Sequence, residues 1–238
     1  MAKPTGTSGP FKATVDEHGS VSGSFEKIAF PEAKDDVEDF FASRFIQSMN
    51  KHLAASGEKF FLANPVRNAE NDFDFTVASP NGPAYLELLE AAPLTGKYED
   101  APAAYKPYDY AKFILGEILK KSGKYPKAKV RDLFLLVYVT HWTFVLSETT
   151  VACLRYWLSM QPTAFRAIFC FSLFNAEEGT PRWLAPVPPE LIRGFDPEAV
   201  RENVCHNLDP RKVEVSFVRS SGVKVRHFFL LSDGGSAS

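Results

Sequence analysis

Hydrophobic side chains recur at helical spacing between residues 31 and 55. Val37, Phe41, Phe45, Met49 and Leu53 are four residues apart and fall on one side of a helix. Acidic residues crowd the first turns, where negative charge favours the positive end of the helix dipole. The pattern predicts a helix whose apolar row is buried against a sheet.

A change from helical to alternating spacing marks the next region of the chain. Residues 72–77 alternate acidic or hydroxyl side chains with apolar ones, which is the period-two pattern of a strand. Turn-forming residues occupy 79–83, and a second apolar run follows over 84–92. The two runs therefore predict a β-hairpin.

Two nearly continuous apolar runs dominate the second half of the chain. Residues 133–145 and 164–174 have the composition of strands that are buried on both faces of a parallel sheet. Between them, residues 148–160 carry apolar side chains at helical spacing. A strand, a crossover helix and a second strand predict that the two strands are adjacent and parallel.

Three further elements complete the predicted fold. Residues 108–121 have the apolar spacing and the lysine-rich end of a helix. Near the C-terminus, 213–219 and 223–231 flank a Ser-Ser-Gly turn and predict a second hairpin. The order of elements predicts an α/β fold, in which helices flank a mixed central sheet and a C-terminal β-hairpin forms an extension.

Domain organisation follows from length and local composition. A chain of 238 residues, of which 45% are hydrophobic, is compatible with one domain. We expect residues 1–24, which are rich in Gly, Ser, Thr and Lys, to form a flexible tail rather than a secretory signal. A single domain is predicted over 25–238, with its core at about 31–174 and an extension over 175–238.

Charge and cysteine usage narrow the expected location and partners. Three widely separated cysteines suggest neither a disulfide framework nor a metal cluster, so we expect a reducing, cytoplasmic location. The longest apolar stretch is shorter than a membrane-spanning helix needs. A formal net charge of −2 lacks a global basic excess, so any contact with DNA must be local. A short basic run covers 120–129, and it matters more if the protein is a binding module.

The predicted hairpin carries the residues with the clearest chemical potential. Asp74 lies in Asn-Asp-Phe-Asp-Phe, and Glu87 lies in Tyr-Leu-Glu-Leu-Leu-Glu. A carboxylate at Glu87, inside an apolar strand, is costly unless it has partners. For Asp72 and Asp74 taken alone, a solvated strand face is an equally good interpretation. Glu90 points to the opposite face from Glu87.

The element order and these carboxylates resemble the PD-(D/E)XK nuclease-like, or restriction-endonuclease-like, superfamily over roughly residues 31–174. The resemblance implies that Asp74 and Glu87 are metal ligands for Mg²⁺ or Mn²⁺, which activates water to cleave DNA phosphodiesters. It also implies an auxiliary acid on the first helix, for which Glu38 is the candidate. Hard cations prefer such oxygen ligands, and a main-chain carbonyl and waters would complete the site.

One position departs from the family motif. Leu89 stands where the family has lysine, and leucine can neither position a water nor stabilise an anion. Lysine migration is known in the family, and Lys112 on the next helix is the preferred donor, ahead of Lys97. Tyr108 and Lys112 are also the candidates for contact with substrate.

Three hypotheses follow from these residues. The first is a magnesium-dependent nuclease, a hydrolase that acts on DNA with Asp74, Glu87 and Lys112 as catalytic residues. The alternative is a catalytically inactive nuclease-fold module that serves as a binding or scaffolding protein. The third is an unrelated α/β protein whose carboxylates are solvated. His141 is expected to be a core histidine, and no histidine pair has zinc-ligand spacing.

Overall fold

Three helices flank a six-stranded sheet in the computed structural model, which describes residues 8–15, 21–57, 62–69, 73–92, 104–125, 132–207, 213–220 and 223–230. The helices are α1 (Lys34–Ala55), α2 (Pro107–Ser122) and α3 (Glu148–Met160). The strands are β1 (Phe11–Val15), β2 (Val21–Phe25), β3 (Ala63–Arg67), β4 (Phe75–Ser79), β5 (Gly82–Glu90), β6 (Ala104–Tyr105), β7 (Leu133–Tyr138), β8 (Ala167–Leu173), β9 (Gly179–Ala185), β10 (Cys205–His206), β11 (Val213–Ser220) and β12 (Val223–Leu230).

The central sheet is mixed, with strand order β3-β4-β5-β7-β8-β9. β3, β4 and β5 form an antiparallel meander, and β5, β7 and β8 are parallel. β9 closes the far edge in the antiparallel direction. The predicted α/β class, with a mixed sheet flanked by helices, is therefore confirmed.

The two faces of the sheet bury separate cores. α1 covers one face, where Phe41, Phe45 and Met49 pack with Leu86 and Leu88 of β5, which confirms the predicted burial of the helix row. α2 and α3 supply the core on the other face. Because side chains alternate along a strand, the position between the two leucines of β5 faces α2 and α3.

The crossover from β7 to β8 has the predicted parallel geometry. Ser147 caps α3, since its hydroxyl accepts a hydrogen bond from the Thr150 N–H. β7 ends at Tyr138, before the predicted end of the run at residue 145. The reason is local: buried His141 accepts the Thr143 N–H through Nδ1 and starts a short 3₁₀ turn.

Short hairpins and an edge strand lie beyond the predicted core. β1 pairs with β2 inside the segment that was predicted to be a flexible tail, and β11 pairs with β12 as the predicted C-terminal hairpin. β9 was not predicted because Pro181 removes one N–H donor, although an edge strand tolerates this loss. Among the described residues, no helix is long and apolar enough to cross a membrane.

Candidate functional site

Asp74 and Glu87 meet where β4 begins beside β5. β4 starts at Phe75, which lies opposite Leu86, so the main-chain groups of Leu88 extend beyond the start of β4. The Asp74 side chain supplies the acceptor that β4 does not, because its Oδ2 accepts the Leu88 N–H at 2.7 Å. The Asp74 N–H in turn donates to Glu87 Oε1 at 3.3 Å. The two carboxylates are thereby fixed by main-chain hydrogen bonds.

A lysine from the last turn of α2 completes this arrangement. Lys121 Nζ lies 2.6 Å from Glu87 Oε2 and 3.3 Å from Asp74 Oδ2. It also donates to the carbonyl oxygen of Leu88. An ammonium group has three N–H donors, and here three oxygen acceptors surround it. We call Asp74, Glu87, Lys121 and the Leu88 carbonyl the lysine-carboxylate cluster.

The cluster brings two carboxylates close enough to share one cation. Asp74 Oδ2 and Glu87 Oε2 are less than about 6 Å apart, since they lie within 3.3 Å and 2.6 Å of the same Lys121 Nζ atom. The cation that they share in this structure is an ammonium from the chain itself.

Burial differs sharply between the two acids. Glu87 is only 2% exposed, and the Tyr125 hydroxyl donates to its Oε1 at 2.6 Å. The Tyr125 ring stacks on Phe73, which contacts Tyr85 in turn. The Asp74 side chain is 29% exposed. Solvent therefore reaches the cluster from the Asp74 side.

Opposing effects act on the pKa of Glu87. Burial raises the pKa of its carboxyl above the usual 4.5, and the nearby charge of Asp74 adds to the increase. Lys121 and the Tyr125 hydrogen bond oppose that increase without cancelling it. Lys121 and the Tyr125 hydroxyl thus favour the ionised form of Glu87, which burial disfavours.

Glu38 lies away from this cluster, on the α1 side of the sheet. Its carboxylate pairs with Lys34 at 3.3 Å and with Arg67 of β3 at 3.2 Å. Arg67 also pairs with Asp39 and lies over the ring of Phe75, which belongs to the α1 core. Because Glu87 faces α2 instead, the structure does not bring the proposed auxiliary acid to the carboxylate pair.

Lys112 is also separated from the pair. Its Nζ lies 4.4 Å from the centre of the Tyr108 ring and 5.9 Å from that of Trp157. Lys112 precedes Lys121 by nine residues, which is about 13 Å along a helix and half a turn around it. The sequence contains the signal for Lys121, because it continues the row of Ile114 and Ile118 that faces the core.

The ligands that the described residues bring to this site are oxygen atoms. No group of three or more His, Cys, Asp or Glu side chains with metal-binding geometry occurs in the described part of the chain. Asp74, Glu87 and the Leu88 carbonyl nevertheless offer hard oxygen donors, which suit Mg²⁺ or Mn²⁺ better than zinc. The donor set therefore fits the metal that the family resemblance implies.

The two buried cysteines do not contribute a second chemical centre. Cys153 and Cys170 are buried, and burial raises the pKa of each thiol to about 11. Both are therefore protonated near neutral pH and unreactive as nucleophiles.

Comparisons with known proteins leave the site to be interpreted from its own geometry. No protein-family model matches the chain, and no curated protein or solved structure matches it.

Proposed function

We propose that the protein is a metal-dependent nuclease of the PD-(D/E)XK type that hydrolyses DNA phosphodiester bonds. The observation that carries the proposal is the convergence of Asp74, Glu87 and the Leu88 carbonyl on the Lys121 ammonium. A structural ion pair needs only one carboxylate, whereas this cluster gathers two carboxylates and a carbonyl at one point.

The element order supports the same proposal. α1, the meander of β3, β4 and β5, α2, and then β7 parallel to β5 follow one another as the resemblance implies. Asp74 directly precedes one meander strand, β4, and Glu87 lies within the next, β5. The placement of the two acids on neighbouring parts of the hairpin supports the proposed motif.

Each group in the cluster has a distinct proposed role. Asp74, Glu87 and the Leu88 carbonyl would hold Mg²⁺ or Mn²⁺, which supplies Lewis acidity and a water of lowered pKa. Lys121 replaces the lysine that is missing at Leu89, whose side chain packs into the core under α2 and α3. The Lys121 ammonium would orient the attacking water and stabilise the anionic transition state.

Local positive charge beside the cluster favours a phosphate-bearing substrate. α2 ends in the basic run over 120–129, and Lys124 lies two residues beyond the helix. The rest of that run lies outside the described residues. Lysines close to a cleft raise the local concentration of polyanions even when the net charge of the protein is negative.

A cleavage assay tests the proposal. Plasmid and single-stranded DNA are incubated with millimolar Mg²⁺ or Mn²⁺, or with EDTA, and strand breaks are counted. We expect breaks that require metal and that fall at least about 100-fold in Asp74→Asn, Glu87→Gln and Lys121→Met. Lys112→Met is the matched control and should retain cleavage. Activity that persists in EDTA or in the two carboxylate variants would contradict the proposal.

One observation favours the alternative of an inactive binding module. The Lys121 ammonium already offsets one of the two carboxylate charges and contacts both acids, so the cluster has a cation without metal. In that case DNA would bind with a steep salt dependence but remain intact with either metal. A gel-shift measurement on the same samples separates binding from cleavage.

A further inference from the structure

We propose that Lys121 is a resident cation that competes with the divalent metal, so that metal binding requires its ammonium to leave the lysine-carboxylate cluster. The inference rests on the proposed function for the identity of the metal ligands. It adds a property that the nuclease proposal does not contain, namely that a residue needed for cleavage weakens metal binding.

The contacts of Lys121 carry the first step. Its ammonium touches one oxygen each from Asp74, Glu87 and Leu88. Among the described residues, these are the three oxygens that we assign to the metal. A divalent ion bound to them would be in direct contact with the ammonium, and like charges at that distance repel strongly. The two cations therefore exclude each other.

The second step concerns where the ammonium can go. The Glu87 side chain is 3% exposed, and Tyr125 covers it, whereas the Asp74 side chain is 29% exposed. The displaced lysine therefore leaves towards the Asp74 side, where solvent and a substrate phosphate approach. Its flexible four-carbon stem allows this movement without any change in α2.

This displacement couples metal binding to the release of the Lys121 ammonium. While the ammonium remains in the cluster, it neutralises the buried carboxylate and keeps the site closed to metal. Once metal binds, the ammonium is released towards the phosphate that it would stabilise. Removing the ammonium should thus tighten metal binding and abolish cleavage in the same variant.

A Mn²⁺ titration followed by thermal melting tests the competition. Because a ligand that binds only the native state raises the melting midpoint by mass action, and the rise begins near its dissociation constant, the midpoint reports Mn²⁺ affinity without any need for activity. We expect the midpoint of Lys121→Met to begin to rise at a Mn²⁺ concentration at least about ten-fold lower than that of the parent. Lys120→Met, at the exposed neighbouring position, is the matched control and should behave as the parent.

A combined variant identifies the ligands. Adding Asp74→Asn and Glu87→Gln to Lys121→Met should remove the gain in Mn²⁺ response. A midpoint of Lys121→Met that begins to rise only at or above the parent's Mn²⁺ concentration would overturn the inference, as would a gain that survives loss of both carboxylates. Lys121→Gln gives a second route if the methionine variant melts too early, because its amide keeps a donor for the Leu88 carbonyl and removes the charge.

Cleavage assayed on the same samples separates this inference from the nuclease proposal. If the parent cuts no DNA but Lys121→Met gains Mn²⁺ affinity, the competition stands and the nuclease proposal fails. If the parent cuts DNA and Lys121→Met shows no gain, the competition fails and the nuclease proposal stands.

Discussion

Two buried glutamates on opposite faces of one sheet have very different surroundings. Glu38 is 6% exposed and pairs with Lys34 and Arg67, whose side chains are 65% and 29% exposed. Glu87 is 2% exposed, and its cation, Lys121, is 17% exposed. Glu38 therefore pairs with cations that are more exposed than it is. In contrast, the Lys121 side chain extends inwards to reach Glu87.

The two regions also differ in how the oxygen acceptors are arranged around their cations. At Glu38, acids surround one guanidinium that also packs on an aromatic ring, so Arg67 ties β3 to α1. At Glu87, two carboxylates and a main-chain carbonyl converge on a single atom. Burial of a carboxylate alone therefore does not distinguish the two regions, whereas convergence of oxygens on one atom does.

The largest expected effect comes from removing the cation of the cluster. In metal-free buffer at pH 8, Lys121→Met should lower the free energy of unfolding by about 3 kcal/mol, because it leaves a buried carboxylate without its partner. The loss should become smaller as the pH is lowered, since burial raises the pKa of Glu87 and a neutral carboxyl group needs no cation. Urea unfolding at each pH measures the loss. Lys120→Met, which removes only a surface pair with Glu117, should change stability by less than about 0.5 kcal/mol.

Disrupting the contacts between Arg67 and Glu38 should lower the free energy of unfolding by a smaller amount and leave metal binding unchanged. Arg67→Met removes the guanidinium contacts of Glu38, Asp39 and the Phe75 ring, and should cost about 2 kcal/mol because Lys34 still pairs with the buried acid. The Mn²⁺ dependence of the melting midpoint should match that of the parent. A reduced Mn²⁺ response in this variant would show that the two regions are coupled.

These two variants also mark where sequence reasoning succeeded and where it stopped. The α1 row and the β7-α3-β8 crossover follow from spacing alone, and Glu87 was singled out because a carboxylate interrupts an apolar run. The face on which Glu38 lies depends on which side of the sheet receives α1, and spacing does not encode that. Lys112 is closer than Lys121 in sequence to the hairpin, and the sequence prediction therefore favoured it. The core-facing row of α2 instead points to Lys121.

Acid titration distinguishes the buried cluster from an ordinary surface acid. The folded-state pKa of Glu87 is raised above 4.5, so its contribution to stability is complete below that pH and is lost as the pH rises through the folded-state value. Glutamine does not titrate. In EDTA, the parent should therefore lose stability relative to Glu87→Gln as the pH increases from 4 to 8. Urea unfolding across this range measures the difference, and a trend of opposite sign would contradict the assigned cause.

The smallest effect is expected at Lys112. Lys112→Met removes a cation that lies over the Tyr108 ring, which should cost about 0.5 kcal/mol because Arg201 also lies over that ring. Cleavage and Mn²⁺ response should be those of the parent. A loss of cleavage without a loss of stability would instead return Lys112 to the catalytic role that the sequence suggested.

The most direct test of the central claim is to locate the cation in crystals. Crystals grown without metal are soaked in Mn²⁺, and an anomalous difference map is calculated beside the metal-free map. We predict one peak in contact with Asp74 Oδ2, Glu87 Oε2 and the Leu88 carbonyl, with the Lys121 ammonium displaced towards the Asp74 side. An unmoved Lys121 ammonium with no peak at these oxygens, at Mn²⁺ concentrations that support cleavage, would contradict the claim.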